Sequence, residues 1–433
     1  MNKISVVSTS SNFVREPLIK PFGFKGGYTT ELWQTVALVR SSKGNEGIGL
    51  GTQSVLWSDA KVFEAHSESG GNALMYAILQ YALTKARNVE WSTPIDLIDQ
   101  ILDSVYAYAK IVTNTAGLKL TFVLNALVPL DTAAWVLYAR ENGYTTFDAM
   151  VPEEYRPSLS ARHEKVAGIP LITYALTPED IEEVIRQGYF FMKIKIGADP
   201  EKDGDRGKMV EWDKQRLEQV HRMVKDIRIP YTENGMVPYY LDANGRYDTK
   251  DRLCELLDYA ARIGAVEHIA IVEEPFPEEA MIDVTGLGVR IAADESAHSP
   301  LDVGNRINLG YTAIALKPIA KTLSKSLQIA ELCRKKNVPC FCADLTVNPV
   351  MVEWNKNVAA RLMPFPGLKI GLLESNGHQN YKNWQALLSY HPYSTAGWVT
   401  PKNGVYELDN SFYETSGGIF EIPQYYKALV SAT

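Results

Sequence analysis

The stretch FFMKIKIG, residues 190–197, sets two lysines into a run that otherwise reads as a buried strand. Residues two apart on a strand share a face, so Lys193 and Lys195 point one way while Ile194 and Ile196 point the other. The isoleucines suit a covering helix layer. The lysines then face an enclosed space, where unpaired cations are costly, so anionic partners are expected from the strands alongside.

Seven further runs read as short strands: IPLITYAL (169–176), YYLDAN (239–244), IAIVEEPF (269–276), VRIAADES (289–296), TAIALKP (312–318), VPCFCAD (338–344) and GLKIGLLES (367–375). Helix-like segments such as PEDIEEVIRQG, TKDRLCELLDYAARIG and TLSKSLQIAELCRKKN lie between them, several closed by Gly or Asn as helix C-termini often are. Strict alternation argues for parallel pairing through helical crossovers, and eight repeats are the number that closes a TIM-like barrel. An open doubly wound sheet is the competitor, but no glycine-rich phosphate loop follows the first strand.

The fold class expected is therefore α/β, a modified (β/α)8 barrel with an α+β capping domain. The cap is assigned to residues 1–140: TVALVRSSKGNEGIGLGT reads as strand, turn and strand, and apolar-periodic stretches follow at 73–87, 94–113 and 122–142. The barrel takes residues 165–375, with insertions at 198–210 and 229–237, and the segment 376–433 is expected to pack back on the cap.

With 46% hydrophobic and 22% charged residues the chain has the composition of a soluble globular protein. A net charge of −7 supplies no basic field for nucleic acid or an anionic membrane, which leaves a small molecule as the expected partner. The beginning MNKISVVSTSSN lacks the apolar core of a signal peptide, and no run approaches the roughly 18 apolar residues that span a membrane, so the cytoplasm is the expected compartment. Cys254, Cys333, Cys340 and Cys342 fit neither a disulfide framework nor a zinc pattern and read as free thiols.

Chemistry in such barrels gathers at the C-terminal ends of the strands. There the second strand carries Lys193 and Lys195, the third Asp242 and Asn244, the fourth Glu273 and Glu274, the fifth Asp294 and Glu295, and the sixth Lys317. Asp242, Glu273 and Asp294, from three adjacent strands, would repel one another unless a cation sat among them; hard oxygen ligands suit Mg²⁺, with Mn²⁺ next. Strands two and six are four positions apart and hence opposite, so Lys195 and Lys317 would flank a bound substrate. Polarising a substrate carboxylate stabilises the enolate left when the α-proton departs, and a lysine whose pKa is lowered by burial and by neighbouring cations can take that proton. On this reading Lys193 lowers the pKa of Lys195 and attracts an acid substrate.

The motifs KIK, LDANG, VEEPF, ADES and ALKP, in this order, resemble the enolase superfamily, most closely its muconate lactonizing enzyme and dipeptide epimerase group. The resemblance implies that Asp242, Glu273 rather than Glu274, and Asp294 bind Mg²⁺. It also implies that Lys195 and Lys317 are an opposed acid/base pair, with Lys193 in support and Asn244 behind the ligands. Strand seven carries no His and strand six carries Lys317, unlike the mandelate racemase subgroup; His298 and His378 read as loop residues. Loops of the cap close over the substrate in this family, which points to Phe22, Lys25 and Trp57. Glu374, at the end of strand eight, is placed to pair with a substrate ammonium, although Glu374 and Asn376 stand where dipeptide epimerases carry two aspartates.

The function expected is a Mg²⁺-dependent epimerase or racemase of an amino-acid-like or small acid. A cycloisomerase, or a dehydratase of the lyase class acting on a carboxylate or sugar acid, is the alternative that the same groups would serve. Schiff-base chemistry at Lys195 or Lys317 would leave the three acids without a purpose. Family members often assemble as dimers or octamers, so a homo-oligomer is expected.

Overall fold

Strands β1 (Ile4–Phe24), β2 (Gly27–Ser41), β3 (Glu46–Gln53) and β4 (Glu90–Trp91) form an antiparallel sheet in the order β3-β2-β1-β4. The structure is a computed structural model and describes residues 3–24 and 27–431. β1 is a strand that the sequence reading did not place, because its polar, serine-rich run SVVSTSSN lacks clean apolar alternation. Against the sheet lie α1 (Val55–Ser58), α2 (Ala60–Ala86), α3 (Pro94–Val112) and α4 (Leu120–Asn142).

The alternating glycines of GIGLG in β3 explain how α4 reaches the sheet. A Cβ at Gly49 would come within 2.1 Å of the Ala133 nitrogen and 2.3 Å of the Pro129 carbonyl oxygen, so the helix backbone lies directly on the strand. By length and composition α4 could cross a membrane, which corrects the expectation drawn from its sequence, but 94% of its apolar window is buried inside the protein. It is the core helix of the cap.

A short helix, α5 (Phe147–Met150), leads to the barrel. Its strands are β5 (Lys165–Ile169), β6 (Leu171–Ile172), β7 (Met192–Lys195), β8 (Tyr239–Asp242), β9 (Ile269–Glu273), β10 (Ile291–Ala293), β11 (Ala313–Leu316), β12 (Cys340–Cys342) and β13 (Gly371–Glu374). All pair in parallel in the order β5-β13-β12-β11-β10-β9-β8-β7-β6. Pro170 has no N–H to give a ladder and divides the first strand into β5 and β6. One piece pairs with β13 and the other with β7, which closes the ring. The first strand thus begins at Lys165, four residues before the expected run, and the chain leaves the sheet after Ile172.

Helices α6 (Pro178–Arg186), α7 (Arg206–Val224), α8 (Lys250–Arg262), α9 (Pro300–Asn308), α10 (Leu323–Lys336) and α11 (Pro349–Ala359) cover the barrel. Each starts at a side chain that accepts a first-turn N–H: Thr177, Asp205, Thr249, Ser299, Thr322 and Asn348. Strand alternation sorts the core as expected. Ile194, Leu241, Val272 and Ile314 pack with the helix layer, whereas Phe191, Tyr240, Ile271, Ala292 and Phe341 fill the barrel interior.

After residue 376 the chain touches both halves. β14 (Val405–Glu407) adds antiparallel to β5, while Lys382 N–H donates to the Pro17 carbonyl and Asn12 Nδ2 donates to the Leu429 carbonyl.

Candidate active site

The register of the central strands brings the charged ends to one level: Lys195 lies opposite Asp242, and Asp242 opposite Glu273. Lys193, one pleat deeper, is enclosed in the barrel. Its Nζ donates to the Tyr240 hydroxyl at 3.1 Å and pairs with Glu374 at 2.9 Å, Asp242 at 3.0 Å and Glu273 at 3.4 Å. Lys195 Nζ donates to Asp242 Oδ2 at 2.6 Å and Asn244 Oδ1 at 2.5 Å. Across the ring, Lys317 Nζ pairs with Asp294 Oδ2 at 2.5 Å. β7 and β11 are four strands apart by either route around the barrel, so the two amines stand on opposite flanks.

Glu273 and Glu274 are sorted by backbone geometry. Glu274 sits at φ +37° and turns its carboxylate onto the Asp294 N–H at 2.7 Å and the Ser296 N–H and hydroxyl at 3.2 and 3.0 Å. It braces the next loop. Glu273 is fully buried in the barrel mouth, and its Oε2 has no hydrogen-bond partner.

Burial pushes the Glu273 carboxyl up to about 8 and the Glu274 carboxyl up to about 7. For Lys193, burial pulls the pKa down, but the charges of Asp242, Glu273 and Glu374 outweigh it and hold the amine well above its ordinary value. Lys317 is likewise raised, burial being overcome by Asp294, Glu273 and Glu295. A proton-accepting lysine with a lowered pKa is therefore not what Lys317 presents in this arrangement, because it has more carboxylates than cations around it.

The carboxylates test whether a divalent cation fits. Glu273, Asp294 and Glu295 each offer an oxygen within 4.8 Å of the others, all three are buried, and one oxygen of Glu273 is left without a hydrogen bond. Buried carboxylate oxygens so arranged suit Mg²⁺ or Mn²⁺. The cluster differs from the expected triad in one member. Asp242 is not among the three; its Oδ2 lies against Lys193 and Lys195 at 3.0 and 2.6 Å, while Glu295 is held by Asn244 Nδ2 at 2.9 Å.

Phe22 and Trp57 from the cap line one cavity together with Lys195, Asp242, Asn244, Lys317 and Glu374 from the barrel. Lys25 lies outside the described residues. Glu374 lines the cavity and is also bound from within the barrel. It accepts from Lys193 Nζ, from the Asp344 N–H at 3.0 Å and from Asn376 Nδ2 at 3.2 Å, so its charge is matched inside the barrel before any substrate ammonium arrives. His298 and His378 are bonded rather than solvated. His298 reaches Thr121 Oγ1 of the cap and Glu278 Oε1, each at 3.2 Å, and His378 Nε2 meets the Tyr189 hydroxyl at 3.0 Å while burial pushes its pKa down to about 4.

Glu295 is named in the sequence reading only as a strand-end charge, and two further residues of the site are not named there at all. Lys321 donates to the Asp294 carbonyl at 2.6 Å and pairs with Asp294 Oδ1 at 3.2 Å. Asp344, at the end of strand seven, lines the cavity beside Glu374, and burial pushes its carboxyl up to about 7. Its signal was present: VPCFCAD ends in an acid as the third and fifth strands do.

A capped barrel whose mouth gathers carboxylates between two opposed lysines defines a protein of the enolase type. Residues 177–407 match the family model described as enolase C-terminal domain-like, and the chain belongs to that family. Three solved structures illustrate its fold. A mandelate racemase/muconate lactonizing protein from Herpetosiphon aurantiacus is 16% identical with a TM-score of 0.63, covering 94% of this chain and 96% of its own. A dipeptide epimerase from Enterococcus faecalis V583, complexed with Mg and L-Leu-L-Tyr, is 15% identical with a TM-score of 0.59, covering 88% and 92%. A substrate-liganded L-Ala-D/L-Glu epimerase from Bacillus subtilis is 16% identical with a TM-score of 0.60, covering 88% and 92%. Among curated proteins none matches the chain.

Proposed function

We propose that the protein removes the proton α to a carboxylate of a small, amino-acid-like acid and returns a proton to the same carbon from the opposite side, as an epimerase or racemase. The observation that carries this reading is the pair of lysines: Lys195 and Lys317 line one cavity, come from strands on opposite sides of the ring, and each pairs with an acid of the strand-end arc. One amine accepts the proton while the other, charged, supplies one to the far face. Lys193, buried and bound to three carboxylates, adds positive charge beneath the site and draws in an acid.

Glu273 and Asp294 would hold a Mg²⁺ ion, and we assign the third oxygen to Asp242 because Asp242 lines the cavity with the lysines. When bound, the ion would polarise the substrate carboxylate and offset the charge that gathers on its oxygens as the α-proton leaves. Two of the solved relatives are epimerases by name, which agrees with this choice among the reactions that the groups could serve.

The test is to incubate the protein with Mg²⁺ in D₂O and a panel of amino acids, dipeptides and hydroxy acids, following the α-proton by NMR. Exchange with inversion and no new compound is expected. A new alkene, keto acid or lactone would replace this reading by elimination or cycloisomerisation.

A further inference from the structure

The two lysines are not held alike. Lys195 is fixed by barrel residues, Asp242 and Asn244. Lys317 has Asp294 of the barrel on one side, and its Nζ lies 4.5 Å from the ring centroid of Trp57, a residue of the cap. Indole faces attract ammonium groups through the ring quadrupole, so the contact favours one position of the amine.

Trp57 is itself firmly placed. It belongs to α1, and Asn125 Oδ1 accepts from the Ser54 N–H at 3.1 Å and the Ser58 hydroxyl at 3.2 Å, while Asn72 Oδ1 accepts from the Val55 N–H at 3.1 Å. Asp59, next along the chain, caps α2 and also accepts the Lys119 N–H at 3.0 Å from the segment before α4. The chain on either side of Trp57 is therefore anchored to three parts of the cap, and the indole faces the barrel lysine.

We propose that Trp57 is a positioning residue for Lys317, so that the cap completes one of the two proton-transfer groups while the barrel alone completes the other. This rests on Lys317 being such a group. A long alkylamine held only by Asp294 could swing along the carboxylate; a flat ring above it restricts the amine to the arc facing the substrate carbon. Proton transfer at the face served by Lys317 thus depends on the docked cap, and transfer at the Lys195 face does not.

A correlation spectrum of the ¹⁵N-labelled lysine ammonium groups of the full chain tests the contact without any substrate, Lys317→Arg identifying the Lys317 signal. The ring current should shift that signal upfield in the native protein, Trp57→Leu should return it toward the other lysines, and Trp57→Phe should retain most of the shift. In the D₂O assay with Mg²⁺ and the panel acids, Trp57→Leu should slow exchange at the Lys317 face by roughly 10- to 100-fold more than at the Lys195 face, and be largely rescued by Trp57→Phe. A Lys317 signal unmoved in Trp57→Leu, or equal slowing at both faces, overturns the proposal. Because the spectrum requires no turnover, it decides the positioning role even where no panel acid exchanges, and the two readings fail separately.

Discussion

The Lys195 flank and the Lys317 flank present the same functional group in different settings. On the first, neighbouring strands in register supply everything: Lys195 faces Asp242 across one ladder, and Asn244 follows two residues later. On the second, the barrel places Asp294 at the amine, and an aromatic ring from the cap stands near it. The comparison teaches that one side of the site is determined within the barrel while the other requires the cap and the barrel to meet.

The largest expected effect falls on both flanks at once. Glu273→Gln removes an acid with a buried oxygen that lacks a hydrogen-bond partner, and both faces should lose exchange together, with Mg²⁺ affinity by calorimetry falling by more than about 100-fold. Loss at one face only would place the ion elsewhere. Asp242→Asn should weaken Mg²⁺ more than Glu295→Gln; the reverse order would make the cluster of Glu273, Asp294 and Glu295 the ligand set.

A smaller and one-sided effect is expected at Asn244. Asn244→Ala removes an acceptor from Lys195 and should slow exchange at that face by about 10-fold, leaving the Lys317 face near its native rate. On the cap side, Gly49→Val forces side-chain atoms into the backbone of α4 and should lower stability by about 1–3 kcal/mol in urea unfolding. In the surviving folded protein the Lys317 face should suffer more than the Lys195 face.

The smallest effect concerns pH. Burial pulls His298 down, but the hydrogen bonds to Asp302 and Glu278 outweigh it and leave the folded pKa above that of the free side chain. The stabilisation is fully present below the unfolded value of about 6.5 and is lost as pH rises through the higher folded value. A melting temperature that declines across this window, and a flatter profile in His298→Asn, would show that the pairing of His298 with Asp302 and Glu278 stabilises the fold.

Much of the barrel was legible because strand ends are marked by charge. A lysine pair in FFMKIKIG, and acids after apolar runs in YYLDAN, IAIVEEPF and VRIAADES, are costly unless they meet, and the register of the sheet makes them meet. What the sequence could not show was partner choice. Asp242 and Glu295 carry the same chemistry, and only the placement of Lys193 and Lys195 decides which carboxylate is already neutralised. Glu374 reads as an unpaired acid in the sequence, yet Lys193 reaches it, and Asp344, an acid at the end of strand seven, joins it in lining the cavity. Contacts between cap and barrel, such as Trp57 on Lys317 or Thr121 on His298, join residues far apart in the chain and leave no local pattern.

The most direct measurement is α-proton exchange in D₂O with Mg²⁺, starting separately from each stereoisomer of an exchanging acid, for Lys195→Ala and Lys317→Ala. Each variant should lose exchange from one stereoisomer by about 10²- to 10⁴-fold and keep it from the other, with the two losses complementary. Loss from the same stereoisomer in both variants, or from neither, would contradict two lysines acting on one carbon from opposite sides.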